Sequence, residues 1–411
     1  MPVGYRIEVR DRDLNRVGII DTWIKLDFIV RFCQQGSFQL LVKAGTDQAN
    51  LLQKGGGIAI FQEGVPEPLL TGQIEFFQQY WTVEQHTGPG SLYVGGKCDN
   101  KVAYSRLAWP EPAVPISQQY KARATRQAAG SASKALWWEL EHAAGASALP
   151  ERRIPGLSLP EPPDLGTQVH DSFRFDGLGT TFEKWTEGKD FGYRFLYNPD
   201  VKKIELRIFR PRDRSRDVRF SPELGNLREF IWTLTAPRVT RVIVACQGEG
   251  EDRYLFQKID SDAEAEWGVQ IEQFLDRRDL PLKTDPVTGQ PVKAKPDTTD
   301  EEFENAKKAV VAAADSILQQ GEKNGNFQIY PIDTDQVRFG RDYMVGDLVT
   351  VAIDGVEYVD IVREVNISIE DAGKSLTIRP KIGEQGTGDP LNLYKTVSEL
   401  REKLRKLEAR M

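Results

Sequence analysis

"YMVGDLVTV", residues 343–351, places a Gly-Asp pair directly before an alternating apolar run. Alternation with period two predicts a half-buried β-strand, and glycine with aspartate before such a run is typical of a turn. Asp347 is therefore either a carboxylate presented for chemistry or a turn residue that begins a strand. The sequence offers a comparison that bears on this choice.

A related pattern lies near the N-terminus. When residues 52–74 are aligned with residues 343–365, apolar positions and glycine turns agree without a gap. The alternative explanation is chance, because glycine turns and β-branched residues recur in many hairpins. The alignment places Gly56 opposite Asp347, which favours a turn residue over a catalytic base. We assign structural turns to Gly55, Gly346 and Asp347.

Composition limits the classes of function. The chain has 411 residues, 40% of them hydrophobic, and a net charge of −7. An acidic chain lacks the basic surface that a dedicated nucleic-acid-binding protein needs. No apolar run approaches the ~18 residues of a membrane span, and no secretory signal is visible, so we expect a soluble chain without a membrane anchor. The three cysteines are far apart in sequence and predict neither a disulfide framework nor a metal site.

The predicted fold class is mainly β with α+β insertions. The internal repeat predicts two related β-barrel-like domains, and Pro-rich segments mark the insertions. Helical spacing predicts helices within 131–145 and 177–188, and a capping box of Thr299 and Glu302 begins a third helix. A Pro- and Lys-rich stretch at 281–299 predicts a mobile loop. The predicted domains are 1–108 with 204–235 (first barrel), 109–203 (α+β insertion), 236–270 with 330–386 (second barrel), 271–329 (insertion with the loop and helix) and 387–411 (coiled-coil helix).

Segments that resemble catalytic or cofactor-binding motifs lack residues that those motifs require. "GSLYVGGKC", residues 90–98, lacks the first glycine and the hydroxyl residue of a phosphate loop and is interpreted as a β-turn. "DSDAEAEWGVQI", residues 260–271, lacks the glycine and the final glutamate of a calcium loop and is interpreted as a solvated loop. No HExxH or GxSxG pattern is present, and "HDS" at 170–172 cannot form a triad from adjacent positions. We predict no catalytic, cofactor or metal site.

The C-terminal segment carries the most regular pattern. Apolar residues repeat at intervals of four and three, with charged residues between them, which is the a/d seam of a coiled coil. The alternative is an amphipathic helix packed on its own domain, although such helices usually show a wider apolar face. We favour an intersubunit coil. The predicted seam consists of Leu393, Val397, Leu400, Leu404, Leu407 and Met411.

An ordered set of motifs resembles a known family, the tail hub proteins of long-tailed phages and in particular the siphophage minor tail proteins often labelled Gp37-like. Each motif alone is weak, but together they span most of residues 1–386 in the expected order. The segments are "GSFQLLVKAGTDQANLLQKGGGIAIF" (36–61), "FSPELGNLREF" (220–230), "VACQGEGEDR" (244–253), "QIEQFLDRRDL" (270–280) and the block from "DTDQVRFGRDYMVGDLVTV" to "ISIEDAGKSLTIRPKIG" (333–383).

The resemblance implies a structural virion protein rather than an enzyme. It implies a homotrimeric ring with pseudo-sixfold symmetry in the tail tip or baseplate, made in the host cytoplasm. The ring would join the sixfold tail tube to threefold tip components, and its partners would be the distal tail protein, the tape-measure protein and tip or fibre proteins. DNA would pass without specific binding.

Two alternatives remain: a receptor-binding or carbohydrate-binding tail module, and a tail-associated hydrolase. The family often carries a C-terminal lysin, fibre or spike. Here only a short coil follows Gly383, so we expect such domains to lie on another protein.

Overall fold

The computed structural model describes residues 4–83, 88–123, 125–169, 171–188, 190–321, 324–353, 355–370 and 375–383. Residue contacts divide the chain into two units. The first comprises residues up to Phe230 together with Gln328–Gly383, and the second contains Ile231–Phe327. The predicted coiled-coil seam lies outside the described residues and stays a prediction. The predicted partition into two barrels with two insertions also stays a prediction.

The N-terminal part is built from seven strands with two short helices. Buried residues alternate with more exposed ones from Lys25 to Phe28 of β3 and throughout β4, which is the pattern that the alternating sequence predicts. Leu26, Phe28, Phe38 and Leu40 are among the buried residues. The elements are β1 (Tyr5–Arg10), β2 (Arg16–Ile20), β3 (Lys25–Arg31), β4 (Ser37–Lys43), α1 (Asp47–Leu51), β5 (Gly57–Gln62), β6 (Leu70–Tyr80), β7 (Ser91–Cys98) and α2 (Lys101–Tyr104).

Residues 107–209 form an α+β layer, which we call the inserted module. Its core joins α3, α4 and β15 through Leu136, Leu140, Phe182 and Tyr193. Both helices predicted here are confirmed. The elements are β8 (Leu107–Ala108), β9 (Arg126–Gln127), β10 (Gly130–Ser131), α3 (Ala132–Ala143), β11 (Leu157–Ser158), β12 (Gln168–Val169), β13 (Ser172–Phe173), β14 (Asp176–Gly177), α4 (Leu178–Thr186), β15 (Gly192–Asn198) and β16 (Lys203–Phe209).

The remaining part returns to β structure and contains the longest helix, α6. This helix begins with the predicted capping box: the Thr299 amide donates to the Glu302 carboxylate, and the Glu302 amide donates to the Thr299 hydroxyl. The elements are β17 (Arg219–Phe220), β18 (Leu227–Thr235), β19 (Arg241–Ala245), β20 (Leu255–Ile259), α5 (Ser261–Trp267), β21 (Glu272–Asp276), β22 (Leu282–Thr284), β23 (Pro291–Lys293), α6 (Asp300–Gly321), β24 (Asn324–Pro331), β25 (Leu348–Ile353), β26 (Val356–Glu370) and β27 (Ser375–Ile382).

One sheet of thirteen strands dominates, so the chain is mainly β as predicted. Its order is β18-β24-β27-β26-β3-β4-β7-β6-β5-β1-β2, with β25 beside β26 and β17 beside β25. The path contains two runs of four strands, β18-β24-β27-β26 and β3-β4-β7-β6. They join where β26 pairs antiparallel with β3, from Glu364 opposite Arg31 to Glu370 opposite Lys25. Closure of either run into a barrel stays a prediction.

The second unit has a core of its own. A three-stranded sheet in the order β20-β19-β21 packs one face against α6. Val242 and Val244 of β19 meet Val310 and Ala314 of α6, and all four side chains are buried. The apolar spacing that predicted the helix therefore marks the face that covers this sheet.

Two local predictions are wrong, and a third segment contains a hairpin that the sequence did not predict. Residues 261–267 form helix α5 instead of a loop, because the Asp260 side chain caps the Ala263 amide. Residues 91–98 form strand β7 instead of a turn; Gly96 permits close packing there, since a Cβ would lie 1.9 Å from the carbonyl oxygen of Gln73. Within the predicted mobile loop, β22 and β23 pair as a hairpin.

Replacing Leu282 by alanine tests the core of the second unit. The Leu282 side chain is fully buried against α6, so the substitution should destabilise this unit by about 2–5 kcal/mol through lost burial and a cavity. The readout is hydrogen exchange of the β19 amides. The matched control is Val287→Ala, at a side chain that is 91% exposed, which should leave exchange unchanged. Equal exchange rates in the two variants would contradict this assignment of the core.

Candidate functional site

Strand β15 lies at the edge of a small sheet, and that edge is closed by side chains of the large sheet and of the loops next to it. The order β11-β16-β15 leaves one side of β15 without a neighbouring strand among the described residues. On that side the amides of Tyr193, Phe195 and Tyr197 point toward the N-terminal strands. Each donates to a side chain there: to Cys33 Sγ at 3.3 Å, to Asn100 Oδ1 at 2.8 Å and to Thr71 Oγ1 at 3.0 Å, respectively. We call this arrangement the docking seam.

The seam continues into a buried ion pair. The Thr71 hydroxyl accepts from Tyr197 and donates to Asp99 Oδ2 at 2.6 Å, while Arg10 Nη2 donates to Asp99 Oδ1 at 2.5 Å. Arg10 and Asp99 are each at least 95% buried, and the guanidinium also lies over the Tyr197 ring at 4.9 Å. Removing one partner of such a pair leaves an uncompensated charge in the interior. The seam therefore requires each of these groups to be in place.

The thiols at the seam are hydrogen-bond acceptors rather than nucleophiles. Burial raises the pKa of Cys33 to about 12 and that of Cys98 to about 11, so both stay protonated at neutral pH. Cys98 Sγ accepts from the Gly36 amide at 3.0 Å, as Cys33 Sγ accepts from Tyr193. Their role at the seam is to satisfy backbone donors.

A small cavity lies beside the seam. Its volume is about 50 Å³, and Thr71, Asn100, Phe195 and Met344 are among its lining residues. That volume holds a few water molecules, whereas ligand pockets usually enclose ~300–1,000 Å³. Among the described residues, no cluster of three or more His, Cys, Asp or Glu side chains could hold a metal ion. The cavity is a feature of packing at the seam.

The two sequence-predicted turns have the same geometry. In Gln53–Gly56 and in Met344–Asp347 the amide of the fourth residue donates to the carbonyl oxygen of the first, at 3.1 Å and 3.2 Å. The third residue has a positive φ in each, +79° at Gly55 and +94° at Gly346. A positive φ at this position is what a type II turn demands, and glycine adopts it without strain.

The resemblance extends past the turns, but with a different register. The carbonyl oxygens of Gly56 and Asp347 accept from the amides of Ile74 and Val362, each at 2.9 Å. The sequence alignment places Ile74 opposite Val365, three positions later. The gap-free alignment is therefore wrong beyond the turn, because the loop between β25 and β26 is shorter than the loop between β5 and β6.

A β-bulge follows at the same place in both strands. The register of β6 against β7 shifts between Ile74 and Phe76, and that of β26 against β27 shifts between Val362 and Glu364. Bulges bend a strand and are reproducible features of a fold. The turn, the hydrogen bond after it and the bulge occur in the same order in both segments. Strands β5, β6 and β7 are therefore equivalent to β25, β26 and β27, and Phe76 occupies the position of Glu364.

The Asp347 carboxylate is fully engaged. Arg212 donates from Nε to Oδ1 at 2.8 Å and from Nη2 to Oδ2 at 2.7 Å, and the Met344 amide donates to Oδ2 at 2.8 Å. The Asp347 side chain is 4% exposed, and its hydrogen bonds raise the pKa of Arg212. These contacts support the proposal that Asp347 fastens the chain before β17 to the turn. Sequence reasoning missed Arg212, which lies 135 residues away.

Comparisons with known proteins give one family match and several similar solved structures. A sequence model described as the Siphovirus ReqiPepy6 Gp37-like protein family matches residues 6–384. No curated protein matches the sequence. Among solved structures, the chain is similar to a 43 kDa tail protein of prophage MuSo2 from Shewanella oneidensis, at 11% identity and a TM-score of 0.48, covering 92% of this chain and 97% of that one. It is also similar to a tail protein from Neisseria meningitidis MC58, at 14% identity and a TM-score of 0.48, covering 93% and 97%.

Thr71→Val tests the docking seam. Valine has nearly the same shape but leaves the Tyr197 amide without an acceptor and Asp99 without one donor, so the first unit should lose about 1–3 kcal/mol of stability. Urea unfolding measures this loss. Thr71→Ser should restore most of the stability. Thr167→Val, at an exposed threonine of the inserted module, should change it by less than about 0.5 kcal/mol. A loss no larger than in this control would refute the role of Thr71.

Gly346→Ala tests the second turn. An alanine at positive φ costs about 1–2 kcal/mol, and at Gly346 its Cβ would also lie 3.0 Å from the Phe32 ring. Gly64→Ala is the matched control, because Gly64 has a φ of +83° with open space around it. Thermal unfolding should show a larger loss for Gly346→Ala than for Gly64→Ala. Indistinguishable melting temperatures would argue against close packing of this turn.

Proposed function

This chain belongs to the Siphovirus ReqiPepy6 Gp37-like family of phage tail proteins, and from that membership we propose that it forms the hub of a tail tip or baseplate. Three copies assemble into a ring. The ring joins the sixfold tail tube to threefold tip components and lets the tape-measure protein and the DNA pass. The protein acts as a structural component of the virion and not as an enzyme.

The observation that carries this proposal is the internal repetition of the large sheet. Runs β3-β4-β7-β6 and β18-β24-β27-β26 have the same order of strands. The pairs β6–β7 and β26–β27 each contain a β-bulge at the equivalent place. The same type of turn, with a glycine at positive φ, lies before the strand that precedes each pair. Closed rings are the usual outcome when a repeated surface is carried around a symmetry axis. Three copies with two similar runs each present six similar positions, which is how a trimer matches a sixfold tube.

The proposed position of the protein between the tail tube and the tip determines which partners we expect. The distal tail protein lies on one side, the end of the tape-measure protein inside, and tip or fibre proteins below. A net charge of −7 suits a conduit for DNA, because acidic side chains repel phosphates within a Debye length of ~8 Å. We propose that DNA passes without specific binding. No helix in the described ranges is long and apolar enough to cross a membrane.

The alternative of a carbohydrate-binding module has less support. The adjacent tryptophans at 137 and 138 are used in packing. Trp137 Nε1 donates to the carbonyl oxygen of Leu159 at 2.9 Å, and Trp138 stacks on His142 with ring centroids 3.9 Å apart. The Arg126 guanidinium lies over the Trp138 ring at 4.5 Å. Neither indole is a free platform for a sugar.

The solution mass tests the proposed hub. Light scattering over a range of concentrations should give about three times the 46.4 kDa of one chain. A version ending at Gly388 locates the contacts: a fall to monomer places them in the predicted coil, and a surviving trimer places them in the sheet. A full-length chain that stays monomeric at every concentration, also with the distal tail protein present, would contradict the proposal.

A further inference from the structure

The three-stranded sheet of the second unit has two different faces. Helix α6 packs against the face that contains Val242 and Val244 of β19. Side chains alternate between the faces along a strand, so Ile243 lies on the opposite face. There it is the central residue of a row, with Gln257 of β20 on one side and Phe274 of β21 on the other.

The face opposite α6 exposes apolar side chains. Leu255 and Ile259 of β20 are 57% and 43% exposed, and Phe274 of β21 is 58% exposed. We call this surface, formed by Leu255, Ile259, Phe274 and Ile243, the open face. Its central strand pairs in parallel with β21, and parallel strands are usually covered on both faces of their sheet. The open face therefore has the character of a site for another element.

The dimensions of the open face suit one helix. Neighbouring strands lie ~4.8 Å apart, so the two outer strands are ~10 Å apart, which is about the diameter of a helix with its side chains. The apolar part is narrow, because Arg241 of β19 and Glu272 and Asp276 of β21 lie on the same side of the sheet. A helix with a narrow apolar stripe and charged flanks is complementary to such a surface.

The sequence of the C-terminal segment, residues 391–411, predicts a helix of this kind. Its apolar stripe consists of the six residues of the predicted seam, with charged residues on both sides. We propose that this segment packs its apolar stripe on the open face of the second unit of the same chain. The docked helix takes the place of the intersubunit coil that the sequence alone favours, because the spacing of apolar residues does not reveal an uncovered sheet face.

The path of the chain allows this contact. Ile382 of β27 pairs with Ile329 of β24, and the second unit ends at residue 327, two positions before Ile329. The chain thus leaves β27 beside the strand that follows the second unit. Seven residues, 384–390, connect Gly383 to the C-terminal segment and can span up to ~25 Å.

Charge favours the same partner. Residues 231–327 contain 12 Lys and Arg against 18 Asp and Glu, a net charge of −6. Residues 391–411 contain six Lys and Arg against three Asp and Glu, a net charge of +3. Opposite charges at short range stabilise the docked state, most strongly at low ionic strength. The inference goes beyond the proposed hub, since it concerns a contact within one chain.

Disulfide trapping tests the contact on the full-length chain. Phe274→Cys is combined in turn with Val397→Cys, Leu400→Cys and Leu404→Cys, because the position of the helix along the sheet decides which pair meets. One combination should close a disulfide within the chain, seen as a single-chain band of altered mobility that reductant reverses. The pair Val287→Cys with Leu400→Cys is the matched control, at a site 91% exposed, and should stay open.

Leu400→Cys alone separates docking from the intersubunit coil. In such a coil Leu400 of one chain meets Leu400 of the next, so the single variant would form covalently linked chains. The docked helix keeps this variant as single chains. Linked chains in the single variant, or linkage between chains in the double variants, overturn the proposal.

Hydrogen exchange of residues 391–411 covers double variants that fail to cross-link for local reasons. Phe274→Lys removes an apolar contact and adds a charge of the same sign as the segment, at a position exposed enough to leave the sheet folded. Exchange in the segment should become at least tenfold faster than in the natural chain, whereas Val287→Lys should leave it unchanged. Equal exchange in the two variants overturns the docked helix and leaves the proposed hub standing, since light scattering of the same samples reports the hub separately.

Discussion

The edge of β15 is closed by three side chains, Cys33, Thr71 and Asn100, which accept its backbone amides. A buried amide without an acceptor costs about 1–3 kcal/mol, so the inserted module has one favourable position against the large sheet. That requirement also explains the buried pair of Arg10 and Asp99, because Asp99 orients the Thr71 hydroxyl. The position of the inserted module therefore depends on side chains, rather than another strand, accepting the backbone amides at the edge of β15.

The same constraint connects fold and function. Side chains accept hydrogen bonds from the amides at the edge of β15. Strand β3 pairs with the edge of β26. Among the described residues, the edge of β6 from Phe76 to Tyr80 on the side away from β7 has no strand partner. A structural role in a phage tail agrees with a seam whose thiols and carboxylates are bound by donors rather than exposed to substrate.

Much of the local structure follows from sequence. Spacing predicts α3, α4 and α6, the Thr299–Glu302 capping box and the glycine turns at 55 and 346, because each depends on residues within a few positions of one another. The gap-free alignment of residues 52–74 with residues 343–365 is wrong beyond the turn, because the spacing of apolar residues does not determine the length of a loop. The docking seam was not predicted, since Cys33, Thr71 and Asn100 converge only when the sheet is formed. Strand β7 was missed because its glycines resemble a turn and instead allow close strand packing.

We propose that three chains, each with two repeated runs, make a ring with six similar positions. End-on images of the purified oligomer by electron microscopy test it directly, through the rotational power spectrum of the averaged particles. We expect a strong sixfold component together with a threefold component around a central opening. A threefold component alone, or particles without a central opening, would contradict it.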